Sequence, residues 1–521
     1  MTLNTVATDL GGLLDYHAAV RPHKVALAFE QRETTYAELN AHANRVANGL
    51  RVITPTPQMR VALPDKNSDW FYEILFGAAK AGDVLAPVNW RLAPAEVAYI
   101  VNDARAEALF VGEDFFPLVS QILPELPTVR KLVALSGSHP EWESYATWRD
   151  RQSEQDPAAS IHGDDVVLQM YTSGTTGHPK GALTTHNNIF AALNCSPDWY
   201  PCTTDDVNLV CMPLFHIAGS FVGLLGIYAG ARNIFSRESH PAELLRLIES
   251  ERVTMMFLVP ALMLFMLQTP EIHQVDLSSL RQIDYGASPI ALDLLREGLS
   301  AFKCKFVQVY GLTETTGVIT ALAPEDHDVA GGQRMRSCGK PTRTAEIKVV
   351  DAEGTELPVG EVGEIIVRSE QNTTGYWNLP EATAALLRDG WLHSGDAGFF
   401  DADGYLYVYD RVKDMIISGA ENIYPAEVES ALYGHPAVAD VAVIGVPDDQ
   451  WGESVKAVVV LKPDEIASEA DIIAYCRERI AHYKAPRSVD FVDVLPRNAS
   501  GKLLKRVLRA PYWEGRERQV N

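Results

Sequence analysis

Cysteine is scarce in this chain, with six among 521 residues: Cys195, Cys202, Cys211, Cys304, Cys338 and Cys476. No two stand in a C-x-x-C or similar spacing, which excludes a zinc-ribbon site and a disulfide framework. The expectation is six free, partly buried thiols in a reducing, cytoplasmic compartment. Positive charge is also short. Against 68 Asp and Glu stand 45 Lys and Arg, for a net charge of −23. Such a surface repels nucleic-acid phosphates and anionic lipid, so neither is a main partner. An anionic substrate would then need a locally basic or amide-rich pocket. Long apolar runs are missing too. The stretch 217–231 is broken by glycines and the stretch 255–267 contains Pro260. Both are shorter than the ~20 residues that span a bilayer, so they read as buried core, with no integral membrane segment. The first twenty residues lack the basic and apolar regions of a signal peptide.

What is present is an ordinary globular composition, 47% hydrophobic and 22% charged. Short β-rich runs at 166–171, 207–215, 253–259, 280–286 and 305–311 alternate with helix-like segments such as PAELLRLIESER. This alternation predicts an α/β fold with largely parallel sheets. Several of these strands run into loops rich in Gly, Ser, Thr or His, starting at Thr172, His216, Gly286 and Gly311. In open α/β sheets ligands bind beyond the carboxyl ends of the strands, so these loops could line one cleft. Near residue 400 the character changes. DADG at 401–404 is a turn signal, and Pro425 and Gly434 bracket a helix of their own. About a hundred residues with their own strands and helices follow. The expected division is a large domain over 1–411, built of layered β-sheets and helices, and a small α+β domain over 412–521.

The run Tyr171–Ala182 reads YTSGTTGHPKGA. Thr172, Ser173, Thr175 and Thr176 supply hydroxyls, Gly174 and Gly177 let backbone N–H groups approach an anion, and Lys180 adds a compact positive charge. It is not a Walker loop, because Gly181 stands where Ser or Thr would follow the lysine.

This segment resembles the signature of the adenylate-forming superfamily, which includes acyl-CoA synthetases, peptide-synthetase adenylation domains and beetle luciferase. The likeness runs from about residue 10 to about residue 510. It implies ATP and coenzyme A as co-substrates, Mg²⁺ as cofactor and a small-molecule carboxylic acid as substrate. It is compatible with a homodimer. In YGLTE at 310–314, the resemblance puts Tyr310 on adenine, with Gly311 beside it. It puts Thr313 on phosphate in a catalytic role, and Glu314 on the metal. In DYGASP at 284–289, Gly286, Ala287 and Ser288 line the adenine pocket. His216, in PLFHIAG, matches a catalytic gate beside the acid's carboxylate. Asp396, in HSGDAG, and Arg411 match the ribose contacts. Lys502, in PRNASGK, matches the catalytic lysine that reaches the carboxylate and α-phosphate. These two anions repel one another as they approach, so a cation between them is physically required.

The resemblance also implies a mobile small domain. Lys413 matches the hinge about which it rotates, and the rotation brings Ser418, Gly419 and Ala420 to the cleft for the CoA arm. His216, Phe221, Val222, Val309, Gly317 and Val318 are the expected acyl lining. Val309 stands where relatives with deep pockets often have Gly, which predicts a shortened floor and a medium-chain or aromatic monocarboxylic acid. The alternative is a stand-alone adenylation enzyme that loads an acid onto a carrier protein. For an amino acid that would need a carboxylate near His216, and Ile217, Ala218 and Gly219 offer none.

Overall fold

A computed structural model describes residues 7–172, 178–327, 332–411, 414–418, 421–448, 450–497 and 503–514. The chain divides into two compact units. One comprises Met1–Pro289, Leu294–Glu346 and Arg368–Leu392; the other comprises Ile290–Asp293, Ile347–Val367 and His393–Asn521.

The first unit holds two large sheets. In the first, Arg232–Phe235, Val207–Val210, Met255–Leu258, Gln282–Gly286 and Lys305–Leu312 run parallel, and Gly317–Leu322 and Lys340–Pro341 return antiparallel at one edge. In the second, Val166–Thr172, Val84–Val88, Arg60–Pro64 and Ala108–Val111 are parallel neighbours. There Lys180–Thr185 folds back antiparallel on Val166–Thr172. Strands such as Arg60–Pro64 and Val84–Val88 are buried at every position, as expected for parallel strands covered on both faces.

Two helices lie between the sheets. Trp70–Ala81 packs on the strands Val84–Val88 and Val166–Thr172, and Ile217–Ala229 on Val207–Val210 and Arg232–Phe235. They meet where the Tyr72 hydroxyl donates to the Ser220 carbonyl at 2.7 Å. Both are apolar nearly all round, the pattern of a helix with no solvent face. The run 217–231, expected as core, is thus largely this central helix.

One strand is shorter than its sequence suggests. The apolar run 207–215 pairs only over Val207–Val210. Beyond it buried Asn67 takes over the backbone, donating to the Met212 carbonyl and accepting from Leu214 N–H, both at 3.0 Å. A side chain replaces the neighbouring strand, and the chain turns to present His216.

In the second unit, Leu406–Arg411 pairs antiparallel with the end of Trp391–Phe400. Further along, Val438–Asp448 and Gly452–Leu461 form a long hairpin, extended by Ile416–Ser418 on one side and parallel Ser488–Phe491 on Gly452–Leu461. Alternate residues divide between two cores. Val441 and Val443 pack with Val428, Leu432 and Ile472, while Ala442, Ile444 and Val446 pack with Leu495, Leu508 and Tyr512. Pro425 opens a helix over Pro425–Tyr433 and Gly434 follows it, as the sequence predicts. The α/β class is borne out. All six cysteines are free thiols, four of them buried. Among the described residues no helix is long and apolar enough to cross a membrane.

Candidate active site

The hairpin of Val166–Thr172 and Lys180–Thr185 fixes both ends of the expected phosphate loop, with Thr172 and Lys180 directly paired. Ser173, Gly174, Thr175, Thr176 and Gly177 lie outside the described residues. Lys180 sits with its ammonium 5.1 Å from the centre of the Tyr376 ring. The Tyr376 hydroxyl donates to Glu314 Oε1 at 2.7 Å. One aromatic side chain therefore bridges the cation of one motif and the carboxylate of another.

Glu314 follows the strand Lys305–Leu312 in a short turn, Thr313–Thr315. Two residues from the segment after Arg368 hold this turn. Thr373 N–H donates to the Glu314 carbonyl at 2.7 Å. The Gln371 amide donates to the Thr315 and Val318 carbonyls at 3.0 and 2.8 Å. Tyr376, Gln371 and Thr373 were not read from sequence. Their only signal is the polar run QNTTGYW, and their partners stand more than fifty residues away.

Gly286 and Val309 are register partners on adjacent parallel strands, which brings the loop 286–288 beside Val309 and Tyr310. Ala287 sits at φ +64°, a conformation that costs a non-glycine residue energy and that clusters at functional sites. Gly311 faces Gly317 so closely that a Cβ on Gly311 would lie 1.8 Å from the Gly317 carbonyl oxygen, and Gly317 itself has φ +102°. The turn between Tyr310 and Val318 can form only with glycine at both places.

His216 caps the helix Ile217–Ala229, its Nδ1 accepting from Ala218 N–H at 3.3 Å. Phe221 and Val222 are buried on that helix, and the Phe221 ring lies 3.6 Å from where a Cβ on Gly317 would stand. Val309 is buried and Val318 half-buried. The first unit thus joins Thr172, Lys180, Glu314, Thr313, Tyr310, Gly286, Val309, Gly317, Phe221 and His216 through consecutive contacts and shared elements.

In the second unit Asp396 is buried and pairs across the strand with Arg411, so the two expected ribose contacts are opposite each other on one antiparallel ladder. Ser394 shapes the approach to Asp396, donating its hydroxyl to the Ile365 carbonyl at 2.6 Å and accepting Asp396 N–H at 3.0 Å. Ser418 closes a hairpin with Glu421. Lys413, Gly419, Ala420 and Lys502 lie outside the described residues. The segment containing Lys502 is bracketed by a bridge between Arg497 and Leu503.

For Mg²⁺, the residues present fit. Glu314 is a half-exposed carboxylate with one oxygen engaged by Tyr376, which leaves hard oxygen lone pairs of the kind this ion takes. Among the described residues no cluster of three or more His, Cys, Asp or Glu forms a metal cage.

The model of the AMP-binding enzyme family matches residues 14–377, and that of the AMP-binding enzyme C-terminal domain matches residues 427–502. The chain belongs to this family of adenylate-forming enzymes, as its motifs led us to expect. It is 40% identical over 511 residues to a fatty acid–[acyl-carrier-protein] ligase of Streptomyces coeruleorubidus, covering 97% of each chain. It is 40% identical over 502 residues to a feruloyl-CoA synthase of an Amycolatopsis species, covering 95% of this chain and 97% of the relative. Among solved structures, the anthranilate CoA ligase in complex with anthranoyl-AMP superposes with a TM-score of 0.89 at 31% identity, over 98% of this chain and 99% of that one.

Proposed function

We propose that the chain is an AMP-forming acyl-CoA synthetase acting on a medium-chain or aromatic monocarboxylic acid. The observation that supports this reading most is the Lys180–Tyr376–Glu314 bridge, which sets a cation and a carboxylate from two separate motifs against one aromatic side chain.

In the first half-reaction a carboxylate oxygen attacks the α-phosphorus. A carbon–oxygen–phosphorus link forms and the bond to the β-phosphate bridging oxygen breaks, releasing diphosphate. The protein's part is positioning and neutralisation of charge. Thr172 to Gly177 and Lys180 hold the phosphates. Tyr310, Gly311 and the 286–288 loop hold adenine, Asp396 and Arg411 the ribose. Thr313 and Lys502 meet the reacting phosphate, and His216 borders the acid. Glu314 would hold Mg²⁺, which when bound supplies further neutralisation at the phosphate oxygens.

In the second half-reaction the CoA sulfur attacks the acyl carbon, AMP leaves and the thiol proton passes to solvent. Lys502 must withdraw first. A small domain over 412–521, turning about Lys413, would exchange it for Ser418, Gly419 and Ala420. The enzyme is read as cytoplasmic.

The test is a panel of acids assayed for CoA-dependent AMP formation. Octanoate or an aromatic acid should be turned over well and hexadecanoate poorly. Equal rates for C8 and C16 acids would remove the short floor at Val309. A second reading, transfer to a carrier protein, is favoured by the relative named as an acyl-carrier-protein ligase. AMP release driven by a pantetheinylated carrier and not by CoA would establish it instead.

A further inference from the structure

The strand Gln282–Gly286 carries an acidic residue at a place where a strand between apolar layers has no ordinary use for one. Asp284 is fully buried. Its Oδ1 accepts from the Gln282 amide at 2.7 Å, and that amide also donates to the Trp199 carbonyl at 2.8 Å. Its Oδ2, equally buried, has no hydrogen-bond partner among the described residues. The nearby Tyr200 hydroxyl does not supply one, being committed to Asn208 at 2.6 Å. Burial alone pushes the carboxyl well above the usual carboxylate range.

Register settles which way it faces. Asn208, Met255 and Gln282 are partners across three parallel strands and share a face. Asn208 uses its amide to reach the Val222 carbonyl at 2.9 Å, so this is the face covered by the helix Ile217–Ala229. Alternation along the strand puts Asp284 and Gly286 on the same side, and Val307 and Val309 are their partners on the next strand. Asp284 thus lies on the sheet face covered by the helix that carries Phe221 and Val222, two residues before Gly286 on its strand.

We infer that Asp284 receives a hydroxyl group carried by the acid at the end remote from its carboxylate. A fully buried carboxyl with one engaged and one unengaged oxygen is costly, and it gains a partner when such a substrate enters. A site of this kind rejects the analogue without the hydroxyl, because the buried oxygen is then left unpaired. The inference rests on the acyl-CoA synthetase reading of this layer and narrows its substrate to hydroxylated acids.

The test uses two pairs of acids that differ only by that group: 3-phenylpropanoate against 3-(4-hydroxyphenyl)propanoate, and octanoate against 8-hydroxyoctanoate. Acid-dependent ATP–diphosphate exchange is measured in the wild type, in Asp284→Leu and in Asp284→Asn. The wild type should prefer the hydroxylated member of at least one pair by about tenfold or more in kcat/KM. Asp284→Leu should abolish or invert that preference while still exchanging with the plain acid, and Asp284→Asn should keep part of it. Equal use of both members of both pairs by the wild type overturns the inference and leaves the oxygen to a buried solvent molecule. So does a preference that survives in Asp284→Leu or, should that variant not fold, survives at full strength in Asp284→Asn. Exchange with no acid at all would overturn the synthetase reading itself, and this inference with it.

Discussion

At the scale of single residues, the site depends on one phenol hydroxyl. The Tyr376 hydroxyl orients Glu314 and its ring lies beside the Lys180 ammonium, so a cation and an anion are held apart by a group that touches both. A hydrogen bond to a charged partner contributes roughly 1.5–3 kcal/mol, with the lower end expected for a half-exposed carboxylate. Tyr376→Phe should lower kcat/KM for MgATP about tenfold and raise the Mg²⁺ concentration needed for half-maximal rate, with unchanged thermal stability. An unaltered Mg²⁺ requirement would deny Tyr376 this role. Legibility from sequence divides along the same line. Asp396, Lys180 and Glu314 stand inside short local motifs that carry the resemblance to the adenylate-forming superfamily. Tyr376 does not, because its partner is 62 residues away and its own strand has two residues. Asp284 was in view as part of DYGASP, but only pairing register reveals which face its carboxyl takes.

At the scale of elements, the seating of the helix Ile217–Ala229 depends on one glycine. A Cβ on Gly226 would lie 1.9 Å from Asn233 Oδ1 and 2.6 Å from Asn208 Nδ2. The helix can approach its sheet this closely only with glycine there. Gly226→Ala should push it outward, costing about 1–3 kcal/mol in denaturant unfolding and raising KM for the acid more than KM for ATP. Unchanged stability would mean the helix is not seated as described. The apolar run made this element legible as core, whereas the truncation of the preceding strand was not, since it depends on Asn67 from the distant loop after Arg60–Pro64. The helix Leu10–Val20 carries its own pH sensitivity. Burial and the neighbouring Arg21 push the His17 imidazole down to about 4. The folded state therefore holds this proton less tightly than the unfolded chain. The resulting stability is complete above pH 6.5 and is lost as pH falls towards 4, by up to about 3 kcal/mol. The melting temperature of the wild type should fall steadily relative to that of His17→Gln as pH is lowered from 7 to 4.5. A difference that does not change with pH would show that folding leaves the His17 imidazole unshifted.

At the scale of the whole molecule, the chain comprises one unit built on two large sheets and a second unit built on its own hairpin. The α/β class and the family were legible because strand-loop-helix alternation and phosphate-binding loops are local patterns. The proposed exchange of one half-reaction for the other is tested most directly by separating the two in Lys502→Ala, with the best acid from the panel. Acid-dependent exchange of diphosphate into ATP should fall by several orders of magnitude. The same variant should still convert supplied acyl-adenylate and CoA to thioester at a rate near that of the wild type. Exchange that persists in the variant would contradict the account at its centre, because no other cation is assigned to the meeting of carboxylate and α-phosphate.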